Sequence, residues 1–331
     1  MDYFKSFAQH ILQFQQIDFE EKALQLFEIQ AQANPIYHAY LQARKINPSS
    51  VKMIDEIPFL PIRFFKDHAV SCGPISGMEG FYASSGTTGQ ITSKHYYWSE
   101  SFYLQHALNL FENEYGSIKD YHILALLPAY LERKDSSLVS MASHFIRSSG
   151  SKHSGFYLYN HADLIDKLKL LKEEEGKVLL LGVTFALLDL AEGDWEFPEM
   201  TNLIVMETGG MKGRRKEMIR EDVHSKLRDK FKVEHIHSEY GMTEMMSQAY
   251  SKGEGIYTMP PTMRVILRDV NDPFALSPRQ SGGLNIIDLA NFHSCAFLET
   301  QDLGRAISEN KIEVLGRFDN SDLRGCNLMV N

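Results

Sequence analysis

The residues best equipped for chemistry fall in three places along the chain. Ser84-Ser85-Gly86-Thr87-Thr88-Gly89-Gln90 combines four hydroxyls with two glycines. Glycine permits positive φ and close backbone approach, while hydroxyls and successive amides can donate to phosphate oxygens. No lysine follows Gly89, so this is not a Walker loop, and the same run also reads as an ordinary polar loop. Ser238-Glu239-Tyr240-Gly241-Met242-Thr243-Glu244 joins an aromatic plane to a glycine, which can bracket a purine base. Thr243 can donate to phosphate, and Glu244 is a hard oxygen ligand suited to Mg²⁺. The plainer reading is a helix start with a capping Thr and an acidic first turn. Last come Asp302-Leu-Gly-Arg305 and Gly316-Arg317-Phe318-Asp319. A carboxylate opposite an arginine suits the two hydroxyls of a ribose, although each segment alone also reads as a surface turn with an ion pair.

The elements that must hold these residues follow from periodicity. Helical spacing covers the first 45 or so residues as two helices broken at Pro35, and the prolines of Ile57–Phe65 make an extended connector. From about residue 80 strands and helices alternate. Strands are predicted at 123–127, 156–159, 178–183, 203–206 and 233–237. Helices are predicted from Asp135 or Ser136 through Phe145, over Leu164–Leu171, over Phe185–Leu190 and over about 215–230. Continuous apolar strands alternating with helices predict a doubly wound, mostly parallel sheet that binds ligands at the carboxyl ends of its strands. Past about residue 250 strands at 263–267, 283–288, 296–298 and 311–315, with Gly, Pro and Asp turns, predict a β-rich lobe. The expected organisation is therefore 1–78 helices and connector, 79–250 α/β nucleotide-binding region, 251–316 β-rich lobe, and 317–331 hinge and tail.

Composition bounds the function. The chain has 331 residues and a net charge of −9, which argues against a dedicated nucleic-acid binder. The N-terminus lacks the pattern of a signal peptide, and the most apolar stretch, 178–191, is too short for a membrane span. Three cysteines make no disulfide framework, so the expected location is cytoplasmic. His235, His237 and Glu239 alternate as a strand metal site would, but strand residues facing a polar cleft explain them more simply. The basic run Lys212, Arg214, Arg215, Lys216 suits either an acidic partner or a solvated helix start. Thr184 and Phe185 suit either an acyl pocket or plain core.

Taken together and in order, these segments resemble the adenylate-forming superfamily of acyl- and aryl-CoA ligases, luciferases and peptide-synthetase adenylation domains, over about residues 57–331. The resemblance implies ATP and Mg²⁺ as cofactors and a carboxylic acid as substrate. It implies that Ser84, Ser85, Gly86, Thr87, Thr88 and Gly89 hold the β- and γ-phosphates. Gly209, Gly210, Met211, Glu239 and Tyr240 would frame the adenine, Asp302 and Arg317 would contact the ribose, Thr243 would contact phosphate and Glu244 would bind Mg²⁺. Asp319 matches the hinge before a small C-terminal domain. The chain ends soon after it, so that domain, with its charge-steadying lysine, is expected to be essentially absent. Either another cation substitutes, with Lys94, Lys212, Arg214 and Arg324 as the candidates, or adenylation is slow.

A narrower resemblance is to the acyl-protein synthetase of the bacterial luminescence reductase complex, and the chain is also similar to phenylacetate–CoA ligases. The supporting segments are Pro58–Lys66, Pro128–Leu138, Thr208–Gly213 and Arg324–Leu328. The resemblance implies that Cys326 accepts the acyl group as a thioester, for delivery to a reductase or an acyl carrier protein. Arg324 beside it favours the thiolate. An acyl- or aryl-CoA ligase and a degenerate nucleotide-binding scaffold are the two rival expectations.

Overall fold

Apolar runs build the centre of the sheet, and the strand Lys177–Val183 is buried at every residue but its first. The structure, a computed structural model, describes residues 2–13, 17–84, 91–128, 135–210, 215 and 218–318. Helices α1 (Asp2–Leu12), α2 (Phe19–Ala33) and α3 (Pro35–Ala43) come first, followed by β1 (Leu60–Pro61) and the short α4 (Phe64–Asp67). A two-stranded hairpin of β2 (Gly80–Ala83) and β3 (Lys94–Tyr97) stands apart from the main sheet. Strand and helix then alternate through α5 (Glu100–Tyr115), β4 (Tyr121–Leu126), α6 (Ser137–Ser149), β5 (Gly155–Tyr157) and α7 (His161–Leu171). The alternation continues with β6 (Lys177–Val183), α8 (Thr184–Glu192), β7 (Leu203–Thr208), α9 (Arg220–Phe231) and β8 (Ile236–Tyr240). After them come β9 (Ala249–Ser251), β10 (Ile256–Thr258), β11 (Met263–Arg268), β12 (Ser281–Asp288), β13 (Phe297–Ser308) and β14 (Lys311–Arg317).

All but the hairpin strands join one twelve-stranded mixed sheet, ordered β11-β12-β13-β14-β10-β9-β8-β7-β6-β4-β5, with β1 on β13. Strands β5, β4, β6, β7 and β8 run parallel, as the strand–helix alternation predicts. The direction reverses between β8 and β9, and pairing from there to β11 is antiparallel. The late strands thus extend the parallel sheet through hydrogen bonds. Among the described residues no helix is long and apolar enough to cross a membrane.

Several boundaries differ from the sequence reading, each for a visible reason. A third N-terminal helix, α1, precedes the two expected, and Phe4, Phe7 and Ile11 bury its inner face. The expected break at Pro35 is present: α2 ends at Ala33, and Pro35 opens α3 at its first position, where its missing N–H costs nothing. The connector at 57–65 joins the sheet: Leu60 pairs with Leu298, and the Ile62 amide donates to Glu299 O at 2.9 Å. Helix α9 begins at Arg220 rather than near 215, because Arg215 is held by Asp189 and Glu192 of α8. Strand β8 runs on through Tyr240, because β7 and β9 pair with it on both sides. Polar Ser238 and Glu239 hide that continuity from an apolar-run reading.

The N-terminal helices do more than cover the sheet. Gln30 spans the turn after β12, its Nε2 donating to Asn291 O and its Oε1 accepting from Ala296 N, both at 2.9 Å. Asn34 caps α3 by accepting from the amides of Ile36 and Tyr37, and its Nδ2 donates to Ser294 O at 2.9 Å. Replacing Asn34 by Ala removes the cap and leaves the buried Ser294 carbonyl with only the weak Cys72 thiol donor at 3.2 Å. We expect a loss of about 2–4 kcal/mol, read as a lower denaturant midpoint with an unchanged slope.

Candidate functional site

Of the three chemistry-bearing segments, Ser84 of the first, 238–244 of the second, and 302–305 with 316–318 of the third are described, and side chains inside and outside the segments link them. The hairpin strands β2 and β3 flank the hydroxyl-rich segment in sequence and pair antiparallel. The hairpin base is closed by Ser84 and Ser93: the Ser84 amide donates to Ser93 O, and the Ser93 amide donates to Ser84 Oγ, each at 3.0 Å. Ser85, Gly86, Thr87, Thr88 and Gly89 lie outside the described residues. Below that base, buried His95 reaches across 148 residues of sequence to Thr243 O at 3.0 Å through Nδ1. A carbonyl can only accept, so Nδ1 carries the proton and Nε2 accepts from Ser294 Oγ at 2.7 Å. Burial pushes the His95 imidazole down to about 4, so it is neutral at physiological pH.

The segment 241–248 crosses the point where the sheet reverses direction. Asp288 and Asn291 hold it from behind. Asp288 accepts from the amides of Met246 and Ser247, each at 2.9 Å, and from Ser247 Oγ at 2.6 Å. Asn291 donates to Glu244 O at 2.8 Å and accepts from Met246 N at 3.0 Å. The carboxyl of Glu244 is buried, which pushes its pKa up, while the Ser93 side chain, Arg317 and Lys66 act in the opposite direction. Glu244 therefore shares one electrostatic environment with the base of the hairpin and with the end of β14.

The acid at 302 completes this group. Asp302 stands opposite Arg317 in the β13–β14 register, and the two form an ion pair at 3.4 Å. Tyr240 at the end of β8 donates its hydroxyl to the other Asp302 oxygen at 2.7 Å. Burial, and next the charge of Asp302, hold that hydroxyl far above the usual tyrosine range, so it remains a donor. Behind them Arg268 is buried and donates to Thr300 O at 2.6 Å, while Thr300 Oγ1 accepts from Asp302 N at 3.1 Å. The chain then leaves β14 with Phe318 N donating to Gln301 O at 2.8 Å.

The mouth of the parallel strands is lined by paired acids and hydroxyls. Thr208 of β7 donates to Glu239 of β8, its register partner, and Thr184 donates to Glu207. Gly209 and Gly210 take φ of 78° and 69°, conformations open to glycine, and the Gly210 amide donates to Thr184 Oγ1 at 3.1 Å. Thr184 is thus a strand-end connector and Phe185 is buried core, so neither is set out as an acyl-pocket wall. His237 bonds Tyr115 Oη at 3.0 Å, while His235 is exposed. Among the described residues no three His, Cys, Asp or Glu gather in a metal-holding group. Met211, Lys212, Arg214, Lys216, Asp319, Arg324 and Cys326 lie outside the described residues.

Comparison with known proteins matches this architecture. No protein-family model matches the chain, and no curated protein matches it by sequence. Solved structures do. An open conformation of 2-hydroxyisobutyryl-CoA ligase, in complex with 2-HIB-AMP and CoA, superposes with a TM-score of 0.67 at 14% identity, covering 94% of this chain and 70% of that one. ATP-bound MatB from Rhodopseudomonas palustris matches with a TM-score of 0.54 at 15% identity over 74% of this chain. The chain shares its fold with these structures. The chain spans about half the length of the MatB structures it matches, at 49%.

Three residues that build the site escape a motif reading, namely His95, Asp288 and Asn291. The signal for Asp288 and Asn291 is polarity inside an apolar run, since Asp288, Asn291, His293 and Ser294 interrupt Ile286–Phe297 and are all buried. His106 is a further buried histidine of this kind. Its Nε2 donates to Ser247 Oγ at 2.9 Å, because the serine proton goes to Asp288, and burial pushes its pKa down to about 3.

For His106 the folded value lies below the ordinary 6.5. The unfolded chain therefore binds the extra proton, and this contribution to stability is present above about pH 6.5 and lost as pH falls towards the folded value. His106→Gln keeps a donor but cannot titrate. Its stability should depend less steeply on pH than that of the wild type between pH 6 and 4.5, by about 1.4 kcal/mol per pH unit, measured by denaturant melts.

Proposed function

We propose that this chain uses ATP to activate a carboxylic acid of the fatty class as an acyl-adenylate and passes the acyl group to a protein cysteine. The observation that carries this reading is the convergence of the hairpin base, Glu244 and the Asp302–Arg317–Tyr240 group at the carboxyl end of β8. Asp302 has one oxygen on Tyr240 and the other on Arg317, which fixes the plane of its carboxylate. Its remaining lone pairs suit two ribose hydroxyls. Gly209, Gly210 and Met211, with Glu239 and Tyr240, would frame the adenine. Ser84, Ser85, Gly86, Thr87, Thr88 and Gly89 would hold the β- and γ-phosphates, and Thr243 would contact phosphate. Glu244 would bind Mg²⁺. One buried carboxylate fits that ion, which takes few protein ligands and completes its shell with phosphate oxygens and water.

In the first step a carboxylate oxygen of the acid attacks the α-phosphorus. The bond from that phosphorus to the bridging oxygen breaks, and pyrophosphate leaves with the electron pair. In the second step the Cys326 thiolate attacks the acyl carbon, the carbon–oxygen bond breaks and AMP leaves. Buried Cys72 and Cys295 support the choice of Cys326, since burial pushes the Cys72 thiol up to about 12 and raises Cys295 as well. A reductase or an acyl carrier protein would then take the acyl group, in the cytoplasm.

A second reading has free CoA as the acceptor, favoured by the CoA held in the 2-hydroxyisobutyryl-CoA ligase neighbour. Incubation with ATP, Mg²⁺ and radiolabelled fatty acid separates the two. We expect hydroxylamine-labile protein label that Cys326→Ala abolishes. Label-free pyrophosphate release that requires CoA would instead select the second reading. Asp302→Ala and Glu244→Gln should each lower acid-dependent pyrophosphate release by about 10²-fold, as loss of a preorganised charged contact does. Tyr240→Phe should raise the KM for ATP by about tenfold, because Asp302 loses its orienting donor.

A further inference from the structure

The segment before the hairpin carries a cation that the reading above leaves unused. Lys66 lies on α4, a four-residue turn that cannot shift freely. On its N-terminal side β1 is paired to β13, and Phe65 beside it is buried edge-on against His95 at 5.3 Å between ring centres. His95 is the residue that binds Thr243, so the position of Lys66 is tied to the same ring that orients the Thr243–Glu244 segment.

An open pocket of about 450 Å³ lies between α4 and the C-terminal arm of the hairpin, lined among others by Lys66, His68, Thr92, Lys94 and Tyr96. Among the described residues neither lysine has a carboxylate in ion-pair range, and the Lys94 ammonium lies 5.1 Å from the Phe81 ring centre. Among the described residues Asp67 is the one acid on the rim. Two ammonium groups with hydroxyl donors between them form a surface that disfavours itself and attracts a polyanion. The pocket adjoins Ile91 and Thr92, where the chain leaves the hydroxyl-rich loop.

We propose that this pocket binds the pyrophosphate end of a nucleoside triphosphate, with Lys66 as a catalytic cation that contacts the departing phosphates. The proposal rests on the adenylation reading. As the α-phosphorus bond to its bridging oxygen breaks, negative charge builds on the leaving pyrophosphate. The Lys66 ammonium stabilises that charge without giving up a proton. A lysine carried on a packed turn meets the developing charge with little reorganisation.

Calorimetric titration with inorganic pyrophosphate tests the site without any turnover. Wild type should bind it, Lys66→Met should bind it at least tenfold more weakly, and Lys66→Arg should stay within a few-fold of wild type. A thermal melt of each variant checks folding, which the exposed position of Lys66 should leave intact. With ATP and acid, Lys66→Met should lower kcat by about 10²-fold or more while the KM for the acid stays close to wild type. Equal pyrophosphate affinity in Lys66→Met and wild type, or no binding by wild type, overturns the proposal. Pyrophosphate binding that depends on Lys66, without any acid-dependent release of pyrophosphate by wild type, keeps this site and removes the adenylation reading instead.

Discussion

A chain that turns from parallel to antiparallel neighbours must find hydrogen bonds for backbone that no ladder can pair. Strand β8 ends at Tyr240 and β9 begins at Ala249, and the loop between them carries the Thr243–Glu244 pair. Unpaired buried amides cost free energy comparable to lost hydrogen bonds, so the loop needs partners from elsewhere. Asp288 and Asn291 supply them, and the turn that carries them is itself held by Gln30 and Asn34 from the N-terminal helices. Burial raises the Asp288 pKa and its four donors act in the opposite direction, and an apolar residue in its place would leave the loop amides unsupported.

The same turn carries Ser294, which orients His95, and His95 orients the hairpin. One buried polar cluster thereby sets the distance between three elements that belong to different parts of the chain. On the far side, Tyr240 and Arg317 fix Asp302 from two strands at once. Arg317 is 78% exposed and its ion pair contributes little to stability. The buried Tyr240 hydroxyl gives the tighter constraint. The site is therefore rigid along its buried wall and adaptable along its exposed one.

Much of this was legible in the sequence, and the failures have physical causes. Strands β4, β6 and β7 are continuous apolar runs, so length and flanking glycines sufficed to find them. Strand β13 is twelve residues long, yet only its first residues look like a strand. From Glu299 onward its polar residues face a cross-strand partner or an acid-binding arginine, which periodicity cannot see. Asp302 and Arg317 stood out by residue type as a diol-binding pair, but their direct cross-strand pairing needed the register. His95 was invisible because a buried histidine is defined by the carbonyl it meets, and Thr243 lies far along the chain.

Phe318 leaves β14 within hydrogen-bonding distance of Gln301, one residue before Asp302, with the Arg268 guanidinium 5.3 Å from its ring. The last described residues therefore lie against the strand that carries Asp302, and Arg317 and Phe318 tie the end of β14 to that strand from two neighbouring positions.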